Sequence, residues 1–128
     1  VQGVNLTGLG GVGTSSANVY TAQQNFGTAT LTDGASIAWN LTTDQVAKVT
    51  LGGNRTLADP TNMVDGGTYI LRVIQDATGS RTLAYGSAYD FGVAGTPTLT
   101  TTASKMDVIT CVSNGTKMFC SITKGFTA

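Results

Sequence analysis

The sequence contains no histidine and no glutamate, and its seven acidic residues are all aspartates. Histidine is the commonest general base and metal ligand, so its absence removes most hydrolytic triads and most zinc sites. Cys111 and Cys120 therefore lack the histidine that a nucleophile and base pair, or a mixed metal site, would require. We expect no enzymatic activity and no bound cofactor or metal.

Most of the aspartates lie where turns or strand ends are expected. A carboxylate in such a position accepts hydrogen bonds from backbone N–H groups, which favours a structural role. Three of them, Asp59, Asp65 and Asp90, are the alternative for a calcium site, but their spacing matches no known calcium loop. We predict the structural role for Asp33, Asp59, Asp65, Asp76, Asp90 and Asp107.

Charge of either sign is scarce. Charged residues make up 11% of the 128 residues, against roughly 25% in typical soluble domains. The net charge is zero, and the basic residues are spread singly, without the patch that binds nucleic acid. No apolar run reaches membrane-spanning length and no signal segment is recognisable. We expect neither nucleic acid nor a membrane as a partner, and surfaces that neighbouring subunits cover.

Residues 1–27 are rich in glycine and poor in aliphatic side chains, so they cannot bury enough surface to offset their ordering entropy. They form either a flexible linker or an extended arm that orders only against a neighbour. In the second case four apolar side chains are its capsid-binding anchors: Val4, Leu6, Leu9 and Val12. We divide the chain into this arm, residues 1–27, and a β-domain, residues 28–128.

The β-domain is predicted to be all-β, an antiparallel β-sandwich or barrel-like domain of short hairpins. Seventeen glycines, abundant threonine and only two prolines are typical of short strands joined by tight turns. Residues 28–41 read as a first hairpin. A three-residue loop at 32–34 places the following side chains on one buried face: Ala29, Leu31, Ile37, Trp39 and Leu41.

Residues 68–76 and 81–85 read as a central hairpin in which Asp76 lies opposite Arg81. A last hairpin spans residues 106–123, and a type I′ turn at Asn114-Gly115 sets Cys111 opposite Met118. Under this register the two cysteines are diagonal neighbours, about 7 to 8 Å apart, too far for good disulfide geometry. We therefore predict two buried free thiols.

Both of these hairpins carry apolar residues on the face turned away from the core. A half-solvated antiparallel strand alternates apolar and polar residues, so something must cover the second face. We predict that a neighbouring subunit does so through Ile70, Arg72, Ile74, Val108, Val112 and Phe119.

Four segments carry a resemblance to a known family. They are LTDGASIAWNL, VTLGGNRTLADPTNM, GGTYILRVIQDATGSRTLAYGSAYDF and TPTLTTTASKMDVITCVSNGTKMFCSITKGF, which together span most of residues 32–126. This region resembles a β-rich module of tailed-bacteriophage virion proteins, found in tail fibres and in head decoration or head fibre proteins. The resemblance implies an all-β, homotrimeric virion protein without enzymatic activity.

These observations favour a trimeric capsid decoration protein that binds the major capsid protein and stabilises the head shell. The alternative is a tail-fibre segment or a receptor- or glycan-binding module. Sugar sites usually combine an exposed aromatic platform with carboxylates, and Tyr85, Tyr89, Asp90 and Phe91 are the candidates for a host-surface glycan. Either way the expected location is the virion, on the capsid surface or in the tail fibre.

Overall fold

The computed structural model describes residues 13–128. The predicted arm anchors Val4, Leu6, Leu9 and Val12 lie outside the described residues. Within them are one 3₁₀ turn, Gly92–Ala94, and the following nine strands: β1 (Thr28–Thr30), β2 (Ser36–Ile37), β3 (Val46–Leu51), β4 (Arg55–Leu57), β5 (Asp65–Gln75), β6 (Leu83–Tyr85), β7 (Tyr89–Asp90), β8 (Lys105–Asn114) and β9 (Met118–Thr127).

The strands form a six-stranded mixed sheet, in the order β1-β3-β5-β8-β9-β7, and a three-stranded sheet, in the order β2-β4-β6. Strands β1, β3 and β5 run parallel in the large sheet, and β2, β4 and β6 run parallel in the small one. The chain therefore makes three successive coils, each contributing one strand to each sheet. Strands β8 and β9 close the large sheet as an antiparallel pair. The predicted all-β, barrel-like class is confirmed.

The predicted hairpins at 28–41 and 68–85 are wrong. Strands β1 and β2 lie in different sheets, and so do β5 and β6. Gln75 explains the second case, because its buried side chain binds both the N–H and the carbonyl of Arg81, at 2.9 Å each, in place of a backbone ladder. The Asp76–Arg81 ion pair itself is present, with Nη2 2.8 Å from Oδ2. It stabilises the crossing between the sheets instead of a hairpin turn.

The predicted faces of residues 28–41 are confirmed even though the pairing is wrong. Leu31, Ile37, Trp39 and Leu41 are buried, and the alternate positions are exposed. Trp39 is 1% exposed, its Nε1 donates to the Asp44 carbonyl at 2.7 Å, and its ring meets Tyr69 edge-on. The alternation of apolar and polar residues shows which face of the sheet each side chain occupies. It does not distinguish a parallel coil from a hairpin, because side chains alternate between the two faces in both.

The hydrophobic core lies between the two sheets. Its members are the inward-facing residues of the three coils and of the closing pair of strands. They are Leu31, Ile37, Trp39, Leu41, Ala47, Val49, Leu51, Leu57, Tyr69, Leu71, Val73, Leu83, Tyr89, Leu99, Ile109, Cys111 and Met118.

The last hairpin forms, but its register differs by two residues from the predicted one. Ser113 pairs with Met118 and Cys111 with Cys120, because side chains rather than a type I′ turn satisfy the loop. Asn114 Oδ1 accepts from the N–H groups of Thr116 and Lys117, at 2.9 and 2.8 Å, and Ser113 Oγ donates to the Lys117 carbonyl.

The prediction of two free thiols is therefore wrong, because Cys111 and Cys120 form a disulfide. A shift of two residues keeps every side chain on its face but changes its partner. The cysteines consequently lie directly opposite each other, with Cα atoms 4.1 Å apart, instead of diagonally.

Candidate assembly surface

The outer face of the six-stranded sheet collects all six residues predicted to form a subunit interface. The inward residues of β5 and β8, such as Leu71 and Ile109, are buried in the core. The alternate residues point away from it, and the strand register places Arg72 beside Val108 and Val112 beside Phe119. We call this surface the outer face. It comprises Val46, Lys48, Thr50, Thr68, Ile70, Arg72, Ile74, Met106, Val108, Thr110, Val112, Phe119, Ser121 and Thr123.

Two cations lie side by side on the outer face. Lys48 of β3 and Arg72 of β5 are register partners in the parallel pair. Among the described residues, neither side chain has an ion pair or a hydrogen bond, because the two ion pairs found there are Asp33–Arg55 and Asp76–Arg81. Like charges side by side on a sheet are destabilising. These two cations of the outer face therefore have no anionic partner among the described residues. Sequence reasoning missed Lys48, since only the parallel register brings it to Arg72.

The ion pairs elsewhere hold the coils together. Arg55, the first residue of β4, donates from Nε and Nη2 to the two carboxylate oxygens of Asp33, both at 2.9 Å. This contact lowers the pKa of Asp33, and the Gly52 N–H, 3.2 Å from Oδ2, lowers it further. The Arg81 side chain likewise lowers the pKa of Asp76. Both arginines are thus engaged and do not contribute to the outer face.

A groove crosses the outer face at its β7 edge. Thr68, Val112, Phe119 and Asp90 are register neighbours across β5, β8, β9 and β7. The groove encloses about 520 Å³, within the range of ligand and peptide sites. It is lined by Thr68, Asp90, Phe91, Gly92, Thr110, Val112, Phe119, Ser121 and the disulfide. Among these lining residues Asp90 is the one with a charge, and its Oδ1 accepts from the Gly92 N–H at 2.8 Å.

The aromatic platform predicted for a glycan is mostly core. Tyr89 is 8% exposed and donates its hydroxyl to the Ala58 carbonyl at 3.0 Å. Tyr85 packs edge-on against Tyr89 and Phe91, with ring centroids 6.0 and 4.9 Å apart. Burial raises the pKa of both tyrosines. The exposed member of the predicted set is Asp90.

The predicted structural role of the aspartates is confirmed for five of the six. Asp107 is the most buried, at 2% exposed, and its carboxylate accepts from the N–H groups of Thr100 and Gly125 at 2.7 and 2.9 Å. The other four that accept from backbone N–H groups are Asp33, Asp59, Asp76 and Asp90. No group of three or more acidic or cysteine residues in the described part of the chain is placed to hold a metal ion. No helix in that part is long and apolar enough to cross a membrane.

One comparison with known families finds a match. Residues 38–118, more than half of the chain, fit a family model described as "Putative phage tail fibre C-terminal domain". The chain belongs to this phage tail fibre family. Curated proteins and solved structures gave no significant match.

The matched region of this tail fibre domain begins just after β2 and ends at the first residue of β9, so it contains the second and third coils and all of β8. The resemblance to tailed-phage virion proteins is confirmed, and the chain is a structural protein of the virion. The family fits the tail-fibre alternative more closely than the capsid-decoration interpretation.

Proposed function

We propose that the chain is a structural domain of a phage tail fibre and that three copies assemble through the outer face. The observation that carries this proposal is the unpaired couple Lys48–Arg72 at the centre of a surface otherwise rich in apolar side chains. The solvent-exposed face of a sheet usually carries polar residues, and here Ile70, Ile74 and Val108 occupy neighbouring positions on it. A subunit interface accounts for them, since burying each such side chain fully contributes about 1.5 to 3 kcal/mol.

The partner copy must also bring a carboxylate to the two cations. Among the described aspartates only Asp33 and Asp76 take part in ion pairs. Of the others, Asp59, Asp65 and Asp90 are exposed, so each copy has acidic groups to offer. An interfacial pair of this kind sets the orientation of the subunits more than it adds affinity.

The test is the oligomeric state of Ile74→Asp, measured by size-exclusion chromatography with light scattering. The parent chain is expected at three times its 13.1 kDa mass, and the variant at the monomer mass, because it adds a buried charge to the interface. Ala84→Asp is the matched control, since Ala84 is exposed on β6 of the small sheet and takes no part in the outer face. A trimeric Ile74→Asp variant would refute this assembly surface.

Capsid decoration remains the second candidate, with no observation on the described residues in its favour. Gold-labelled antibodies against the domain decide between the two positions in intact virions. Label on the tail fibres is expected, and label on the head would restore the decoration hypothesis.

Glycan binding and the absence of enzymatic activity also remain predictions. Tyr89 lies in the hydrophobic core, so Tyr89→Ala would destabilise the domain, and a loss of binding in this variant would not identify a sugar site. Asp90→Ala is the variant to assay for binding to host cells, since Asp90 is exposed.

A further inference from the structure

The segment that precedes β1 carries large apolar side chains that are exposed to solvent, because no other part of the chain that the structure describes packs against them. Every residue from 13 to 28 is exposed. Val19, Tyr20 and Phe26 are 88%, 50% and 62% exposed, which is unusual for three such residues within eight positions. No charged residue occurs between 13 and 32. We call residues 18–27 the apolar arm.

The groove on the outer face has the complementary character. Val112 and Phe119, at its floor, are 47% and 44% exposed. Around them are the hydroxyls of Thr68, Thr110 and Ser121, without a lysine or arginine among the lining residues. Such a groove accepts an extended, uncharged segment with a few large apolar side chains, because its one charged group, Asp90, already accepts a hydrogen bond from the Gly92 N–H.

We infer that the groove of one copy binds the apolar arm of a second copy, with Tyr20 or Phe26 packed against Phe119. This inference rests on the proposed assembly. Within one copy the arm does not cover the groove, and the arm of a second copy would bury the exposed apolar side chains of both. The Asp90 carboxylate at the rim takes a neutral donor, which the Tyr20 hydroxyl or the amides of Gln23 and Gln24 supply.

The reach of the arm is sufficient. Strands β1 and β9 are four positions apart in the sheet, about 19 Å at the usual strand spacing. Ten extended residues span roughly 33 to 36 Å. The arm is therefore longer than the distance from β1 to β9, which is long enough to reach the groove of a copy that packs against the outer face.

The experiment places the photo-reactive residue p-benzoylphenylalanine at position 20 or 26 of the full chain. This ¹⁴N chain is co-assembled with a ¹⁵N chain that lacks the probe, and the mixture is irradiated and analysed by mass spectrometry. The expected product joins the probe to a ¹⁵N peptide that contains residues 110–112 or 119–121. A probe at Ser16, before the apolar arm, is the control and is expected to give no groove product.

Phe119→Ala in the ¹⁵N chain should lower the yield of the groove product about tenfold, as expected for the loss of one aromatic contact. Phe126→Ala is its matched control, because Phe126 is 42% exposed on the same strand but does not line the groove. That variant should keep the parent yield.

Three outcomes would overturn the inference. A groove product formed only within the ¹⁴N chain means that each copy covers its own groove. Products elsewhere, in a sample that light scattering finds trimeric, refute the arm contact and leave the assembly intact. A monomeric sample refutes the assembly, and the inference falls with it.

Discussion

Reduction of the disulfide gives the sharpest test of the C-terminal hairpin. The bond closes a loop between residues nine positions apart. In the chain-entropy model a loop of this length stabilises the folded state by about 2.6 kcal/mol at 25 °C. Because the two cysteines are cross-strand partners, reduction leaves the strand pairing and the core volume in place. The loss should therefore come mainly from the freed unfolded chain.

The assay is urea unfolding of the same sample with and without dithiothreitol, at one protein concentration because assembly couples to stability. With an m value of roughly 1 to 3 kcal/mol/M, the midpoint should fall by about 1 to 3 M. The thermal midpoint should fall by about 10 °C. A thiol assay in denaturant must count zero free thiols before reduction and two after it. Two thiols in the untreated protein, or an unchanged midpoint after full reduction, would refute the reasoning.

Two further predictions concern the carboxylates. Arg55 and Arg81 lower the pKa values of Asp33 and Asp76 in the folded state. The two ion pairs therefore stabilise the folded state fully at pH values above 3.8, the pKa of an unperturbed aspartate. This stabilisation is lost as the pH falls through the lowered pKa values of Asp33 and Asp76 in the folded state. Asp33→Asn should accordingly lose less stability than the parent between pH 5 and pH 2 in urea titrations, and an identical loss would contradict the ion pair. Asp107→Ala should destabilise the domain by about 2 to 4 kcal/mol, since two backbone N–H groups lose their acceptor; a change below 1 kcal/mol would show that water replaces the carboxylate.

Much of the burial pattern was predictable. Leu31, Ile37, Trp39 and Leu41 were placed in the core because alternation along a strand depends only on local geometry. The same reasoning assigned Ile70, Ile74, Val112 and Phe119 to a second face, and the structure confirms that they share one. The family resemblance was also readable from the sequence, because the four segments that carry it cover most of residues 38–118, which the family model matches.

Strand partners were not predictable from the same pattern. Residues 28–41 fit a hairpin and a parallel coil equally well, and the choice depends on whether β3 or β2 lies beside β1. That choice is a long-range one, decided by packing of three coils against each other. Gln75 illustrates the difficulty. Nothing in the sequence indicates that the side chain of this polar residue, at the end of β5, will form the hydrogen bonds to Arg81 that a neighbouring strand would otherwise form.

The sequence by itself determined the all-β class, the scarcity of charge and the two-faced strands, because each of these depends on residue type and local period. Only the tertiary structure decided that the coils run parallel, that Lys48 lies beside Arg72, and that Cys111 meets Cys120. All three are contacts between segments far apart in the chain or sensitive to a two-residue shift. Local alternation is unchanged by such a shift, so the sequence carried no signal that separated the alternatives.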